Sequence, residues 1–363
     1  MKKLILPFIA VIAVLILGSC SEKFKVAAPY KDVTVVYGFL DMNDTAHYIR
    51  IEKGFLDENK SSLTMAKVAD SSYYANLSVR IERYWVSTGK FSDSFHIYRV
   101  DLAAEGYPKQ PGTFFDAPNY AYKFTDLLDP LFFYRIKITN LTTGRVDSAD
   151  APVINENSAA AGFTVGPIDD PNANLFGMSF FSTSQNAVYT LDGYYPIPSP
   201  YNFNNQPSPV GIVQAIITFN WDDRNTSNGV RTHRSYDYDL GYLPMNGNHF
   251  VYGIPDVSLY NALSLGMGDS PAGVDRLIDR CDITVYASTP DYSNYQQAVV
   301  AQGTGLTGSD IAPVFTNIKG DNTIGLFTSR AMHKGRITIT DKTIDSLRSN
   351  SILTHARING KAY

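Results

Sequence analysis

The sequence has few cysteines, few charged residues and no apolar run long enough to cross a membrane. Two cysteines, Cys20 and Cys281, occur in 363 residues, and charged residues make up 18% of the chain. The apolar run from Leu4 to Leu17 is shorter than the roughly 20 residues that a bilayer-spanning helix needs. Basic residues form no stripe, so the chain lacks the electrostatic footprint of a nucleic-acid-binding protein. We therefore predict no nucleic-acid partner.

Motifs for catalysis and for metal binding are also missing. The six histidines never stand at the His-x-x-x-His spacing that favours zinc, and no Gly-x-Ser-x-Gly elbow for acyl transfer occurs. The stretch GTGLTG (303–308) matches the dinucleotide fingerprint, but a helical pattern precedes it where the fingerprint requires a strand. This stretch is interpreted as a turn. The sequence predicts no catalytic residue, no metal and no dissociable cofactor, which favours a protein that is not an enzyme.

Two acidic groups raise the question of calcium. Asp222, Asp223 and Asn225 lie in one predicted loop, and Asp237 and Asp239 share one face of the next predicted strand. An EF-hand counted from Asp223 fails, because it lacks the glycine and the glutamate that this motif requires. We interpret these side chains as solvated turn and edge carboxylates, with an irregular oxygen cage as the alternative.

The N-terminus has the order of an export signal. Lys2 and Lys3 precede the apolar run, which ends in Leu17-Gly18-Ser19-Cys20. This order resembles the bacterial lipobox, which implies a signal peptide over 1–19 and a diacylglycerol group on the Cys20 sulfur. Two or more acyl chains, such as this group with added palmitate, give stable attachment. Ser21 favours the outer membrane, and residues 20–32 form a lipidated tether. The leaflet that the protein faces stays open.

Aromatic content and period-two alternation predict a mostly β protein. Tyr and Phe number 24 and 20, and such side chains suit a pleated surface. Alternating runs near 48–52, 77–82 and 132–139 indicate strands with one buried face, and VTVVYGFL (33–40) indicates a central strand. We predict an immunoglobulin- or fibronectin-like β-sandwich over 33–155, since its six or seven strands fit that architecture.

Residues 156–363 are predicted to form a second β-rich domain with two or three short helices. The Pro/Tyr-rich loop 166–210 carries seven prolines, which exclude a run of central strands. Asn228-Gly229 predicts a two-residue type I′ turn within a hairpin at 211–240. Helices are predicted after Asp256, ending at Gly266, and after Asp291, ending at Gly303. Cys281 alternates with apolar residues and is predicted to be a buried, inert thiol.

Several segments resemble one known family. They are VVYGFL, YIRIEKGF, NLSVRIERY, CDITVYASTPDYSNYQQAVVAQ and NIKGDNTIGLFTSR. With these segments the chain resembles an uncharacterised family of outer-membrane lipoproteins found in Gram-negative bacteria that use TonB-dependent nutrient transporters. The resemblance implies a two-part β protein at the cell surface, with a TonB-dependent transporter as a partner. The long Pro/Tyr segment departs from the family pattern.

The Pro/Tyr segment is the strongest interaction candidate in the sequence. Tyr194, Tyr195, Tyr201 and Phe203 stand among prolines, and stiff aromatic loops lose little freedom on binding. They are predicted to contact a glycan or a partner protein, with packing onto their own sheet as the alternative. The sequence thus favours a lipid-anchored binding or accessory protein of a nutrient-uptake or surface assembly. The alternatives are a carbohydrate-active hydrolase and a structural or adhesive surface protein.

Overall fold

The computed structural model describes residues 33–54, 60–154, 164–165, 188–194, 209–247, 249–303, 315–338 and 341–362. Cys20, the signal and the tether lie outside these residues, as do Tyr195, Tyr201 and Phe203. The predicted boundary at 155/156 also lies outside them. The described residues form a mostly β protein, which confirms the predicted fold class.

The first part of the chain contributes seven strands and two helices of about one turn. These are β1 (Thr34–Asp41), β2 (His47–Lys53), α1 (Ser62–Ala66), α2 (Ala69–Ser72), β3 (Leu77–Trp85), β4 (Phe91–Asp101), β5 (Tyr120–Phe124), β6 (Phe132–Asn140) and β7 (Val146–Pro152). The predicted strands coincide with β1, β2, β3 and β6.

The second part contributes eight strands and four helices. These are β8 (Thr164–Val165), β9 (Val188–Tyr194), β10 (Ile212–Asn225), β11 (Arg231–Pro244), β12 (His249–Pro255), α3 (Asp256–Met267), β13 (Val274–Ser288), α4 (Pro290–Gly303), β14 (Thr323–Thr338), α5 (Asp341–Ser349), a 3-10 helix (Ser351–Ala356) and β15 (Ile358–Lys361). The helices after Asp256 and Asp291 were predicted, and the C-terminal elements α5 and β15 were not.

The first seven strands fold into a β-sandwich because β4 changes partner along its length. Its first part pairs with β3 and its last part pairs with β5, so the sheet folds over at this strand. The layer of β1, β2 and β5 then faces the layer of β3, β6 and β7. Apolar side chains of alternate residues, such as Ile49, Ile81 and Ile136, are fully buried between the layers. Period-two alternation therefore places the core as the sequence predicts.

Strand β14 joins the first core to the second. Its residues up to Arg330 pair with β1 in parallel, and its residues from Arg330 onward pair with β13 in antiparallel orientation. Phe327 is buried in the first core and Ala331 in the second. The strand order is β11-β10-β13-β14-β1-β2-β5-β4-β3-β6-β7, with β15 beside β13, and one sheet therefore passes through both parts. The division into two domains stays a prediction.

The second core lies against the inner face of β10, β13 and the later half of β14. Helix α3, the C-terminal helices, and strands β9 and β12 of the three-stranded sheet β12-β9-β8 supply further side chains. Strand β9 falls inside the Pro/Tyr segment, where the sequence excluded a run of central strands. It forms in the stretch between Pro171 and Pro196, where no proline removes a backbone donor.

Two turn predictions were wrong in detail. The hairpin of β10 and β11 is present, but Asn228 lacks the positive φ that a type I′ turn requires. The Asn225 side chain accepts bonds from the amides of Ser227 and Asn228, which stabilises a longer loop. Helix α3 continues past Gly266, and its last residue is Met267. The C-cap residue is Gly268, whose φ is 59°.

Gly266 has a packing role instead of ending the helix. A Cβ atom at this position would lie 2.1 Å from Cγ of Tyr236 on β11, so only glycine lets the ring approach the helix.

Candidate functional site

A cleft of about 370 Å³ opens where the sheet passes from the first core to the second. It is lined by the end of β1 and the following turn, by β10, β11, β13 and β14, and by the first turn of α4. Its position follows from the change of partner along β14, where α4 places Tyr292 against Phe39 of β1 on one side and Tyr242 of β11 on the other.

The strand register places the floor of the cleft in two neighbouring rows. One row across β11, β10, β13 and β14 consists of Tyr242, Gln214, Tyr286 and Met332. The next row across β10, β13, β14 and β1 consists of Ile212, Ser288, Arg330 and Asp41. Residues that face each other across strands lie on the same side of a sheet, so both rows point into the cleft.

Aromatic rings form one wall of the cleft. The ring of Tyr292 on α4 lies edge-on to Phe39 at 5.5 Å and to Tyr242 at 5.9 Å between ring centroids. Its hydroxyl lies 2.9 Å from the hydroxyl of Tyr242 and accepts a bond from Gln296 Nε2 at 2.6 Å. Rings locked in this way present apolar faces and fixed hydroxyls to a ligand at little entropic cost.

Tyr295 extends this wall away from the cleft. It stacks beside Tyr292 and lies edge-on to Tyr37 of β1. Burial, followed by the contact with Tyr295, raises the pKa of Tyr37 to about 12. Burial and the bond with Tyr292 likewise raise the pKa of Tyr242. These phenols are therefore neutral hydrogen-bonding groups at physiological pH.

Asp41 and Arg330 form the charged pair on the floor. Arg330 Nε donates to Asp41 Oδ2 at 3.2 Å, and the amide of Asn43 donates to Asp41 Oδ1 at 3.1 Å. The Asp41 side chain is 5% exposed and that of Arg330 is 45% exposed. The half-exposed guanidinium of Arg330 lines the cleft beside this bond. Asp44, on the same turn, adds an exposed carboxylate at the rim.

This arrangement is suited to binding. Most ligand sites combine apolar and aromatic walls with a few fixed polar groups. The pair of Asp41 and Arg330 is close to neutral, and Gln214 is held by a bond of 2.7 Å to Asp239. With Asp44 at the rim, the charged side chains of the lining carry one net negative charge, so the cleft disfavours an anionic ligand and suits a neutral one with one apolar face and several hydroxyl or amide groups.

Of the four residues that the sequence predicted for ligand binding, the structure describes the position of Tyr194 alone. Tyr194 ends β9, where its backbone pairs with His249 of β12 and with Thr164 of β8. Tyr195, Tyr201 and Phe203 lie outside the described residues, so their contact role stays a prediction.

The cleft residues themselves were missed by sequence reasoning. They come from four distant stretches, near 39–44, 212–214, 286–292 and 330–332, with Tyr242 between them. The only local signals are the polar turn after β1 and the tyrosines at the start of α4.

The other candidates from the sequence take structural roles. Cys281 is buried on β13, as predicted, and burial raises the pKa of its thiol far above the usual range. Asp222 lies 3.1 Å from His233 Nδ1, and Asp223 accepts bonds from Arg234 and Arg276. Asp237 and Asp239 accept bonds from β10. Among the residues with described positions, no group of three or more potential metal ligands converges.

Comparison with known proteins adds little. No protein-family model matches the chain, and no curated protein matches it. Among solved structures, the C-terminal globular domain of an oligosaccharyltransferase from Pyrococcus abyssi is similar at 9% identity, with a TM-score of 0.20. The match covers 64% of this chain and 39% of that chain, so it spans less than half of the neighbour. A likeness this weak carries no argument about function.

No described helix is long and apolar enough to cross a membrane.

Proposed function

We propose that this protein is a lipid-anchored outer-membrane protein that binds a neutral glycan in the cleft. It acts without catalysis, as a binding or accessory component of a nutrient-uptake or surface assembly. The observation that supports the proposal is the aromatic wall of Phe39, Tyr242 and Tyr292 facing the pair of Asp41 and Arg330.

The chemistry of a sugar ring matches this wall and floor. One face of a pyranose carries mainly C–H groups, which pack on aromatic rings, and its edge carries hydroxyls that both donate and accept. Arg330 offers donors in a fixed fork, and Asp44 and the tyrosine hydroxyls offer acceptors. An anchor at Cys20 holds such a site near a membrane partner and raises its effective concentration there.

An array of neutral oligosaccharides probed with the purified full chain tests the proposal. The strongest binder is then titrated calorimetrically against two cleft variants, Tyr292→Ala and Arg330→Lys. We expect each variant to bind at least about tenfold more weakly, which corresponds to about 1.4 kcal/mol. The lysine keeps the charge that Asp41 requires but loses the planar fork. Tyr98→Ala, which removes an exposed ring outside the cleft, is the matched control and should bind normally.

The Pro/Tyr loop is tested in the same titration. A triple variant with alanine at Tyr194, Tyr195 and Tyr201 separates the two candidate surfaces. Full loss of binding in this variant, together with normal binding by Tyr292→Ala, would assign the ligand to the loop and reject the cleft. An array without any binder would reject the glycan.

A carbohydrate-active hydrolase is the second candidate function. It is favoured by the two carboxylates, Asp41 and Asp44, that line one cleft, since glycosidases use such a pair. Both oxygens of Asp41 are already occupied by the Asn43 amide and by Arg330, which suits positioning better than proton transfer. Release of reducing sugar from the bound glycan, abolished by Asp44→Asn, would establish hydrolysis.

A further inference from the structure

Strand β11 is a long edge of the large sheet. It runs from Arg231 to Pro244 and pairs on one side with β10, and no other described strand pairs with it. Between Arg231 and Asp239 the register with β10 is regular, and the first bulge comes after Asp239. An edge of this length presents a row of unpaired backbone groups, which is a template for another strand.

The exposed basic and acidic side chains on β11 are separated along the strand. Arg231 and His233 stand in its first half, and Asp237 and Asp239 stand in its second half. All four are exposed and alternate along the strand, so they lie on the same face of the sheet. An edge with charges of one sign would repel a second copy of itself. The β11 edge has basic side chains at one end and acidic side chains at the other, so it is complementary to the β11 edge of a second copy that runs in the opposite direction.

The acidic half has no positive partner among the residues that the structure describes. Asp237 accepts a bond from Thr218 Oγ1 at 2.6 Å, and Asp239 accepts one from Gln214 Nε2 at 2.7 Å. Both donors are neutral, and neither carboxylate forms an ion pair with a described residue. In the basic half, Arg231 lies 3.8 Å from Asp222 and donates to the carbonyl oxygen of Ala362, and His233 Nδ1 lies 3.1 Å from the same Asp222. One carboxylate therefore faces two basic side chains.

We propose that a second copy of this chain pairs with β11 in antiparallel orientation, about a two-fold axis at Ser235. This register places Arg231 of each copy opposite Asp239 of the other, and His233 opposite Asp237. Nine residues of each strand then pair, over about 30 Å at roughly 3.4 Å per residue. Opposite charges placed directly across two strands stabilise their pairing.

The proposed pairing also fixes the direction in which the two clefts open. Its value for glycan binding rests on the proposed function. A two-fold axis perpendicular to the sheet keeps the same face of both copies on the same side. The rows of Tyr242 and Gln214 lie on that face, so both clefts open in one direction. Two sites on one surface would bind a polymeric glycan with avidity.

Charge-swap variants of the full chain in mild detergent test the pairing by sedimentation velocity. The basic variant carries Asp237→Lys and Asp239→Lys, and the acidic variant carries Arg231→Glu and His233→Glu. We expect the native chain to dimerise, and each variant alone to dissociate at least tenfold more readily. Mixing the two variants should restore a dimer, because every charged position then faces its opposite.

Control variants separate a loss of dimerisation from a loss of folding, and none of them requires a glycan. Asp116→Lys with Asp321→Lys makes the same charge change at exposed positions away from β11 and should leave the native dimer intact. Thermal unfolding identifies a variant that fails to fold, and the mixing experiment uses folded chains. A native chain that stays monomeric would overturn the proposal, and so would dimers of unchanged strength in both variants.

A cysteine cross-link tests the register directly. Ser235→Cys places two thiols across the proposed axis, and we expect an intermolecular disulfide on mild oxidation. Thr232→Cys lies opposite Tyr238 of the other copy in this register and should cross-link at least tenfold less. Cross-linking of Thr232→Cys that equals that of Ser235→Cys would contradict the register. None of these measurements needs a glycan, so they distinguish failure of the pairing from failure of the proposed function.

Discussion

Arg330 connects the fold to the candidate site at the scale of one residue. It stands opposite Asp41 on β1 and opposite Ser288 on β13, because β14 changes partner at this position. Its side chain pairs with the buried Asp41, which in turn accepts the Asn43 amide and fixes the turn after β1. Truncation of Arg330 would leave a buried carboxylate without its cation, so the lysine variant is the informative one.

A second residue, His47, follows the same turn and is buried. It begins β2, is 1% exposed, and neither ring nitrogen has a hydrogen-bond partner among the described residues. Burial lowers the pKa of His47 below 6.5, against the opposing effect of the nearby carboxylates of Asp44 and Asp41. The unfolded chain therefore takes up the proton at a higher pH than the native protein does.

We predict that the protein loses stability as the pH falls from about 6.5 towards the lower native pKa of His47. The contribution is fully present above the unfolded pKa, because the imidazole is then neutral in both states. Denaturant unfolding across this pH range measures the slope. His47→Phe should flatten the slope, whereas His96→Phe, at an exposed position, should leave it unchanged. Equal slopes for native protein and His47→Phe would contradict the prediction.

At the scale of elements, the pairing of β1 with β14 holds the two cores together. Gly325 makes the close approach of these strands possible. Its φ is 118°, and a Cβ atom there would lie 1.9 Å from the carbonyl oxygen of Val36. In the Gly-x-Phe pattern at 325–327, the glycine therefore allows the close backbone contact, and the phenylalanine supplies a fully buried ring.

Gly325→Ala is expected to destabilise the protein by about 2–5 kcal/mol, since it adds backbone strain to an overpacked contact. Chemical denaturation measures the free energy of unfolding. Gly112→Ala is the control, because a Cβ atom at Gly112 meets nothing within 4 Å. A loss of stability no larger than that of the control would contradict the prediction, because it would show that β1 and β14 accommodate a Cβ atom at position 325.

At the scale of the whole molecule, the proposed lipid anchor and the continuous sheet act together. Attachment through Cys20 would restrict the folded part to the membrane surface, and the sheet carries the cleft and the β11 edge as one body. The binding site and the proposed contact between copies therefore keep a fixed relation to each other.

Cys20→Ala is predicted to move the protein from the membrane fraction to the soluble fraction, because the acylated sulfur is lost. Fractionation of cells and mass spectrometry of the N-terminus provide the measurement. Cys281→Ser, at the buried cysteine, should stay with the membranes and so serves as the control. An unmodified Cys20 in the native protein, or membrane attachment of Cys20→Ala, would contradict the anchor.

The sequence by itself determined the β-rich class of the protein, four strands of the sandwich, and the hairpin and two helices of the second part. Alternation of apolar and polar residues has a period that only a strand satisfies, so β2, β3, β6 and the hairpin of β10 and β11 could be located, and the short apolar run VTVVYGFL located β1 as a central strand. The buried state of Cys281 followed from the same pattern. Turn details were less predictable, because the Asn225 side chain selected a longer loop than the Asn-Gly pair indicated.

Only the tertiary structure decided where these elements meet. The change of partner along β14 brings Asp41, Tyr292 and Arg330 together although they are far apart in the chain, and no local pattern encodes that contact. The position of β11 at an edge is likewise a property of strand order. Local periodicity reports which face of a strand is buried, whereas a cleft depends on which strands are neighbours, and long-range pairing alone sets that.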